Sequence, residues 1–404
     1  MNSRRPWRVT LAVVAVRVVN GLSRRVGRGA GTVAGGRVGL AIAPQLLGEM
    51  SHHRTIVLVT GTNGKTTTSA MIRMGWGGPV AANDTGANMP AGHVAALCAS
   101  GAPHVVLETD EAWLATVVEA TTPQVVVLLN LSRDQLDRAN EVRRLAQRWR
   151  ECLAEGVFSG VVVANAADPL VVYAAESARH VRWVEVPSPW RDDAASCPHC
   201  TRAIAFSEAG WACSCGFAQP ERVDAVLGSD FGVAGESYEL DLSLPGRFNE
   251  VNAALALTAL DGCGVPIATA LERLRAMTSV QGRYGRRRFA RRTLRLLLAK
   301  NPAGTAALLQ SLGGDEEIWI AINSQVADGK DPSWLYDVPF ERLRGRRVVC
   351  LGERRLDLAT RLSYAGVDCE VGDDLEELRR GEGDVTLVAN YTAFREWMGR
   401  TTPC

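Results

Sequence analysis

The chain has 404 residues, 47% of them hydrophobic and 22% charged, which is enough apolar mass for about two to four packed domains and excludes wholesale disorder. Its 45 Lys and Arg against 44 Asp and Glu leave a net charge of +1, so no global field marks it as a nucleic-acid coat or an acidic tail. Only Lys65, Lys300 and Lys330 are lysines, so any chemistry that needs an ammonium has three candidates.

Arg4, Arg5 and Arg8 precede the apolar run Val9 to Val16, which Arg17 interrupts. A bilayer span takes about twenty apolar residues, and no small-residue cleavage site follows the run. Residues 9–22 are therefore predicted as an amphipathic helix, packed on its own domain or lying on a membrane surface. The chain is expected to be cytosolic, with its thiols reduced.

From residue 54 short β-branched runs alternate with helical stretches: Thr55–Thr60, Val105–Leu107, Val125–Leu129 and Val161–Ala164. Continuous apolar runs of this length predict strands buried on both faces, hence a mostly parallel sheet flanked by helices. A ligand site is expected at the carboxyl ends of those strands, where Thr60–Thr66, Glu108 and Asn130–Asp137 would converge. Gly61-Thr62-Asn63-Gly64-Lys65-Thr66-Thr67-Thr68 directly follows the first strand. Glycines between strand and helix let backbone N–H groups wrap phosphates; Lys65 would neutralise the β and γ phosphates of ATP and Thr66 would reach Mg²⁺. Glu108, leaving the next strand, is placed to hold Mg²⁺, whereas Asp110 and Glu111 read as the solvated first turn of a helix.

Near residue 186 the rhythm breaks into an insertion that carries Cys197, Cys200, Cys213 and Cys215. Two close pairs bridged by a hairpin predict a closed, structural Zn²⁺ site, with free thiols or a redox pair as the other readings. Helical sequence resumes at Phe248–Leu260, where the amides of Asn249 and Asn252 suit an adenine edge and Asn249 equally suits a helix cap. Residues 283–292 read as a charged linker. Beyond it Leu294–Leu298, Ile318–Ile322, Val348–Leu351 and Val385–Ala389 predict a second, smaller α/β domain. The expected division is an N-terminal helical segment (1–45), a central ATP-binding domain (46–285, with the insertion at about 190–222) and a C-terminal α/β domain (293–404).

The short phosphate loop resembles that of the Mur ligase family and of folylpolyglutamate synthase. Asn130-Leu131-Ser132-Arg133-Asp134-Gln135-Leu136-Asp137-Arg138 is similar to a family segment carrying Asn, Asp and His. Gly246-Arg247-Phe248-Asn249-Glu250-Val251-Asn252 is similar to the family's Gly-x-His-Asn-x-x-Asn helix start, with Phe248 in the histidine's place. Lys300-Asn301-Pro302-Ala303-Gly304 stands where the family has its C-terminal Tyr-Ala-His-Asn-Pro loop. The cysteines and Asp328-Gly329-Lys330-Asp331-Pro332-Ser333-Trp334-Leu335-Tyr336-Asp337 resemble the family's amidating branch.

That resemblance implies a Mur-ligase-like central parallel sheet with an inserted four-cysteine zinc ribbon and a smaller C-terminal α/β domain. It implies a carbon–nitrogen ligase using ATP, Mg²⁺ and Zn²⁺ that amidates the α-carboxylate of D-glutamate in the lipid II stem peptide, through an acyl phosphate. Ammonia would come from a glutamine amidotransferase subunit (GatD-like) in a heterodimer, at the inner face of the cytoplasmic membrane. Thr62, Asn63, Gly64, Lys65, Thr66, Thr67, Asn249, Asn252 and Arg283 would bind nucleotide; Thr66 and Glu108 would hold magnesium. Asn130 and Asp134 would orient Mg²⁺ or the acceptor, while Arg133 and Arg138 equally read as an exposed helix face. Three acids and the aromatics Trp334 and Tyr336 on one loop suggest an interface. By resemblance Asp337, or else Asp331, completes the partner's cysteine–histidine pair. No lysine lies between Lys65 and Lys300, so the carbamylated lysine of many Mur ligases is absent. Two other readings share single features. One is an ordinary amino-acid-adding ligase of the Mur or folylpolyglutamate type. The other is a zinc-ribbon, ATP-switched nucleic-acid binder using the six arginines of 283–292.

Overall fold

The computed structural model describes residues 7–25, 32–84, 86–133, 139–187, 190–280, 283–313, 317–372, 378 and 380–404. Three helices open the chain: α1 (Trp7–Arg25), α2 (Thr32–Ile42) and α3 (Leu46–Ser51). They lead into β1 (Thr55–Thr60), α4 (Lys65–Trp76), β2 (Val80–Ala82), α5 (Pro90–Ala99), β3 (His104–Glu108), β4 (Val125–Leu128), β5 (Val161–Asn165) and β6 (Val181–Glu185). Strands β1 to β6 are joined in parallel in the order β6-β5-β4-β1-β3-β2.

Both faces of this sheet are buried, which is why its strands read as continuous apolar runs. Ile56 and Leu58 of β1 pack under the N-terminal helices, while Val57 and Val59 pack beneath α4 and the helix Arg247–Gly262. Four buried apolar side chains at about 2 kcal/mol each offset the roughly 1–2 kcal/mol per residue of backbone entropy, so burial holds the strand.

The insertion forms a hairpin of β7 (Ile204–Ser207) and β8 (Gly210–Cys213). The chain then returns to extend the first sheet with β9 (Ala225–Leu227), parallel to β6, and antiparallel β10 (Phe231–Val233) and β11 (Glu236–Tyr238).

The second sheet contains β12 (Tyr284–Phe289), β13 (Arg292–Leu298), β14 (Glu317–Ala321), β15 (Val348–Leu351), β16 (Cys369–Val371), β17 (Gly383–Ala389) and β18 (Thr402–Pro403). Its order is β16-β15-β14-β17-β13-β12-β18, parallel from β16 to β13 and antiparallel at β12 and β18. Residues 284–289 are therefore a strand and not a linker. Arginine at every exposed position hid the pattern, because Phe289 alone in that strand is buried. No described helix is long and apolar enough to cross a membrane.

Candidate active site

Strand β1 lies between β3 and β4, so the loops leaving these three strands open at the point where the strand order reverses. Register places Val59 level with Glu108 and Thr60 level with Leu128. The loop 61–64 rises from this point into α4. Gly61 (φ 141°) and Gly64 (φ 89°) take backbone conformations that other residues avoid. A Cβ on Gly64 would lie 2.4 Å from Asn252 Oδ1, so only glycine lets the loop reach the helix Arg247–Gly262. The first-turn N–H groups of α4 lack intrahelical acceptors, and the helix dipole favours an anion there. Loop shape, free donors and lysine together fit a nucleotide's phosphates.

Lys65 is buried; its Nζ donates to Gly61 O (2.6 Å) and Thr62 O (3.3 Å) and pairs with Glu111 (3.1 Å). Glu111 thus belongs to the site and is not a solvated helix start. Asp110 does cap that turn, accepting from Ala112 N. Asn130 braces the loop, accepting from Asn63 N (2.9 Å) and donating to Asn63 O (3.0 Å). Thr62 Oγ1 and Ser132 close a second pair of bonds across the same gap. Asp134 and Arg138 lie outside the described residues.

Glu108 is 5% exposed at the end of β3, and its carboxylate makes no hydrogen bond or ion pair with a described residue. Its backbone is clamped: Asn83 accepts from Glu108 N (2.9 Å) and donates to Glu108 O (2.8 Å), and His93 Nε2 donates to the same oxygen (2.9 Å). Burial pushes the His93 imidazole down to about 4, and its Nδ1 is buried with no hydrogen-bond partner. A buried, unpaired carboxylate beside a phosphate loop is a donor set that fits Mg²⁺. Neither Asn83, which follows a strand of only three residues, nor His93 carries a local sequence signal.

Two loops of the C-terminal lobe reach this site. Arg283 Nη2 donates to Thr66 Oγ1 (3.0 Å), so the two residues expected at phosphate and Mg²⁺ meet each other. Asn301 caps the helix Pro302–Gln310 through Gly304 N (2.8 Å) and donates from Nδ2 to Asn63 Oδ1 (3.1 Å). Asn249 and Asn252 are buried on the helix Arg247–Gly262; Asn249 Nδ2 donates back to Pro245 O (2.7 Å), ahead of the helix, whose N-cap is Gly246 and not Asn249. Phe248 packs on the core of the C-terminal lobe. The arginines of 283–292 disperse: Arg287 bonds Thr401, and Arg292, 6% exposed, pairs with Glu317 (2.9 Å). Arg283, Arg287 and Arg292 are thus tied into the fold, while Arg286 and Arg288 stand exposed at alternate positions of β12.

Arg133 joins three segments. Its N–H donates to Asp193 (3.0 Å), its guanidinium pairs with the same carboxylate, and Nη2 lies 3.8 Å from Asp337 Oδ2. Asp193 belongs to the insertion and Asp337 to the C-terminal lobe, so no local spacing announced either pair. Asp337 Oδ2 is buried without a hydrogen-bond partner. Asp331 is exposed and caps the turn Pro332–Asp337 through Ser333 N (2.9 Å); the Ser333 hydroxyl, and then this backbone N–H, hold its carboxyl below the usual range. Asp328 is occupied internally by Thr392. Trp334 is buried in the C-terminal core and only Tyr336 is exposed, so the loop offers one aromatic to a partner and not two. Asp331 and Tyr336, with Leu356 and Thr360, line a cavity of about 300 Å³.

The four sulfurs of Cys197, Cys200, Cys213 and Cys215 lie within 4.8 Å of one another, with Cys197–Cys215 at 3.7 Å and Cys200–Cys213 at 3.4 Å. Zinc with four thiolates at about 2.3 Å sets sulfurs about 3.8 Å apart, so the cluster fits that ion. Arg143 clamps the first knuckle by donating to Ser196 O and Cys197 O, and Trp211 anchors the hairpin by donating to Ala166 O (3.2 Å). His199 is turned away, bonded to Glu176.

A phosphate loop, a carboxylate on the adjoining strand and a second α/β lobe touching that loop give the two-lobed arrangement of a ligase. The Mur ligase middle domain family matches residues 59–260, half of the chain, and the MurT ligase C-terminal family matches residues 298–394. The chain belongs to the Mur ligase family and is a ligase, with a MurT-type C-terminal domain. It is 29% identical, over 95% of both chains, to the lipid II isoglutaminyl synthase (glutamine-hydrolyzing) subunit MurT of Staphylococcus aureus. It is 25% identical, over 96% of both chains, to the protein of the same name from Streptococcus pneumoniae. A pseudomurein peptide ligase type C from Methanothermus fervidus shares the fold, with a TM-score of 0.66 at 18% identity over 88% of this chain and 80% of that one.

Proposed function

We propose that this chain is the ligase subunit of a lipid II isoglutaminyl synthase, amidating the α-carboxylate of D-glutamate in the stem peptide. The observation that carries the proposal is likeness along nearly the whole chain to proteins of that name, joined to the convergence of Lys65, Glu108 and Arg283 on one loop. Residues 46–280 would form the ATP-binding lobe, and the lobe that closes on it would run from Arg283 and β12 to the end of the second sheet. Thr62 to Thr67, Asn249 and Asn252 would hold the nucleotide. On binding, Lys65 would exchange its loop carbonyls and Glu111 for phosphate oxygens, and Arg283 would leave Thr66 for the same phosphates. Glu108 and Thr66 would hold Mg²⁺, whose positive charge would stabilise the transferring phosphoryl group. The substrate carboxylate would attack the γ-phosphorus to give an acyl phosphate and ADP. Ammonia would then attack the acyl carbon, expelling phosphate and leaving the amide. Contact between Asn301 and Asn63 is the kind of closure that keeps water from an acyl phosphate.

The nitrogen would come from a separate glutamine amidotransferase subunit (GatD-like). Asp337, or Asp331 as the second choice, would complete that subunit's cysteine–histidine pair. The four cysteines would hold a structural Zn²⁺. Incubating the chain with such a subunit, ATP, glutamine and lipid II should yield lipid II amidated at D-glutamate. Addition of an amino acid in place of the amide would favour the Mur or folylpolyglutamate reading, and no ATP-dependent product would remove both.

A further inference from the structure

Helix α1 presents two apolar faces. Val9, Ala12 and Val16 are buried where α1 meets α2 and α5. On the opposite side Trp7 (71% exposed), Leu11 (49%), Val14 (52%), Val18 (53%) and Leu22 (55%) stand in solvent. At 3.6 residues per turn these five fall within an arc of about 80°. Single exposed apolar residues are ordinary, but a continuous stripe along a 19-residue helix marks a contact surface.

The charge beside the stripe selects the contact. Arg8, Arg17 and Arg25 on α1 and Arg37 on α2 are exposed, and Arg17 is held in place by donating to Cys98 O (3.0 Å). The first 48 residues contain eight arginines and no Asp or Glu, in a chain whose net charge is only +1. A second copy of this chain would set that all-positive rim against itself. An anionic lipid surface meets both features, with apolar side chains entering the acyl boundary and guanidiniums reaching headgroup phosphates. Arg17 and Asn20 interrupt the apolar run of the helix, so it lies along such a surface and does not cross it.

We propose that α1 lays this chain on an anionic membrane surface through the stripe Trp7–Leu11–Val14–Val18–Leu22. This inference stands without the amidation proposal, because its test needs neither ATP nor substrate. The full chain is sedimented with vesicles of phosphatidylglycerol and phosphatidylcholine, or of phosphatidylcholine alone. Binding should be about tenfold or more stronger to the anionic vesicles and should be lost in about 1 M salt, where the screening length is about 3 Å. Leu11→Glu with Val18→Glu should lose binding about tenfold or more with an unchanged unfolding transition, since neither side chain is packed. If that variant fails to fold, Arg8→Gln with Arg25→Gln should show the same loss with the stripe intact. Wild-type protein that ignores anionic vesicles, or variants that bind as well as wild type, would overturn the proposal. So would a solution dimer that the stripe variant dissociates in the absence of vesicle binding.

Discussion

Lys65 is the one lysine before Lys300, and its ammonium is buried among loop carbonyls and Glu111, so no neighbour can take its place. Lys65→Ala should abolish ATP-dependent amidation while leaving the fold intact, measured as turnover beside thermal unfolding; retained turnover would remove the loop from the mechanism. Its place at the loop was legible from the strand–glycine–lysine–threonine order alone. Glu111 was not, because an acid after a strand is equally at home in a helix's first turn, and only the curl of the loop brings it to Lys65. Asp168 is a second residue without a sequence signal. It accepts from Leu131 N, Leu170 N and Val171 N beside Asp193, yet burial raises its carboxyl to about 6. The folded chain therefore takes up this proton below about 6, whereas the unfolded chain waits until about 3.8. This contribution to stability is present in full below about 3.8 and is lost as pH rises through about 6, a swing of about 3 kcal/mol. Asp168→Asn should remove that slope from chemical unfolding followed between these pH values, whatever constant offset the substitution adds. An unchanged slope would place the proton elsewhere.

At the scale of elements, the parallel strands were readable because both of their faces are buried, whereas the short strands β2, β9, β10 and β11 carry too few residues to show a period. Strand β12 does not show in the sequence because Arg286, Arg287 and Arg288 in succession obscure its alternation. The cysteine hairpin was legible from spacing, and its attachment through Arg143 and Trp211 was not. Four sulfurs within 4.8 Å predict about one zinc per chain. Cys197→Ser should lower zinc content and folded yield, and expose the hairpin to proteolysis, more than it changes catalytic constants. Metal analysis without zinc in freshly reduced protein would contradict this. The turn Pro332–Asp337 offers a separate test. Asp337→Asn should leave ATP binding unchanged, reduce glutamine-dependent amidation at least about tenfold, and be rescued in part by ammonium, because an orienting carboxylate serves only the glutaminase step. Full glutamine-dependent activity in both Asp337→Asn and Asp331→Asn would remove the shared-triad proposal.

Over the whole molecule, two lobes meet at one loop through Asn301–Asn63 and Arg283–Thr66, with Arg133 reaching toward Asp337 at a third point. These contacts join residues more than two hundred positions apart, so they follow from the fold and not from any local pattern. They place the C-terminal lobe where it would cover a carboxylate activated by phosphate. That activation is the core of the account, and isotope transfer tests it most directly. Lipid II carrying heavy oxygen in the α-carboxylate of D-glutamate is turned over with ATP, glutamine and the amidotransferase subunit. Released phosphate should acquire one labelled oxygen for each amide formed. Amidation that leaves the phosphate unlabelled would contradict the account.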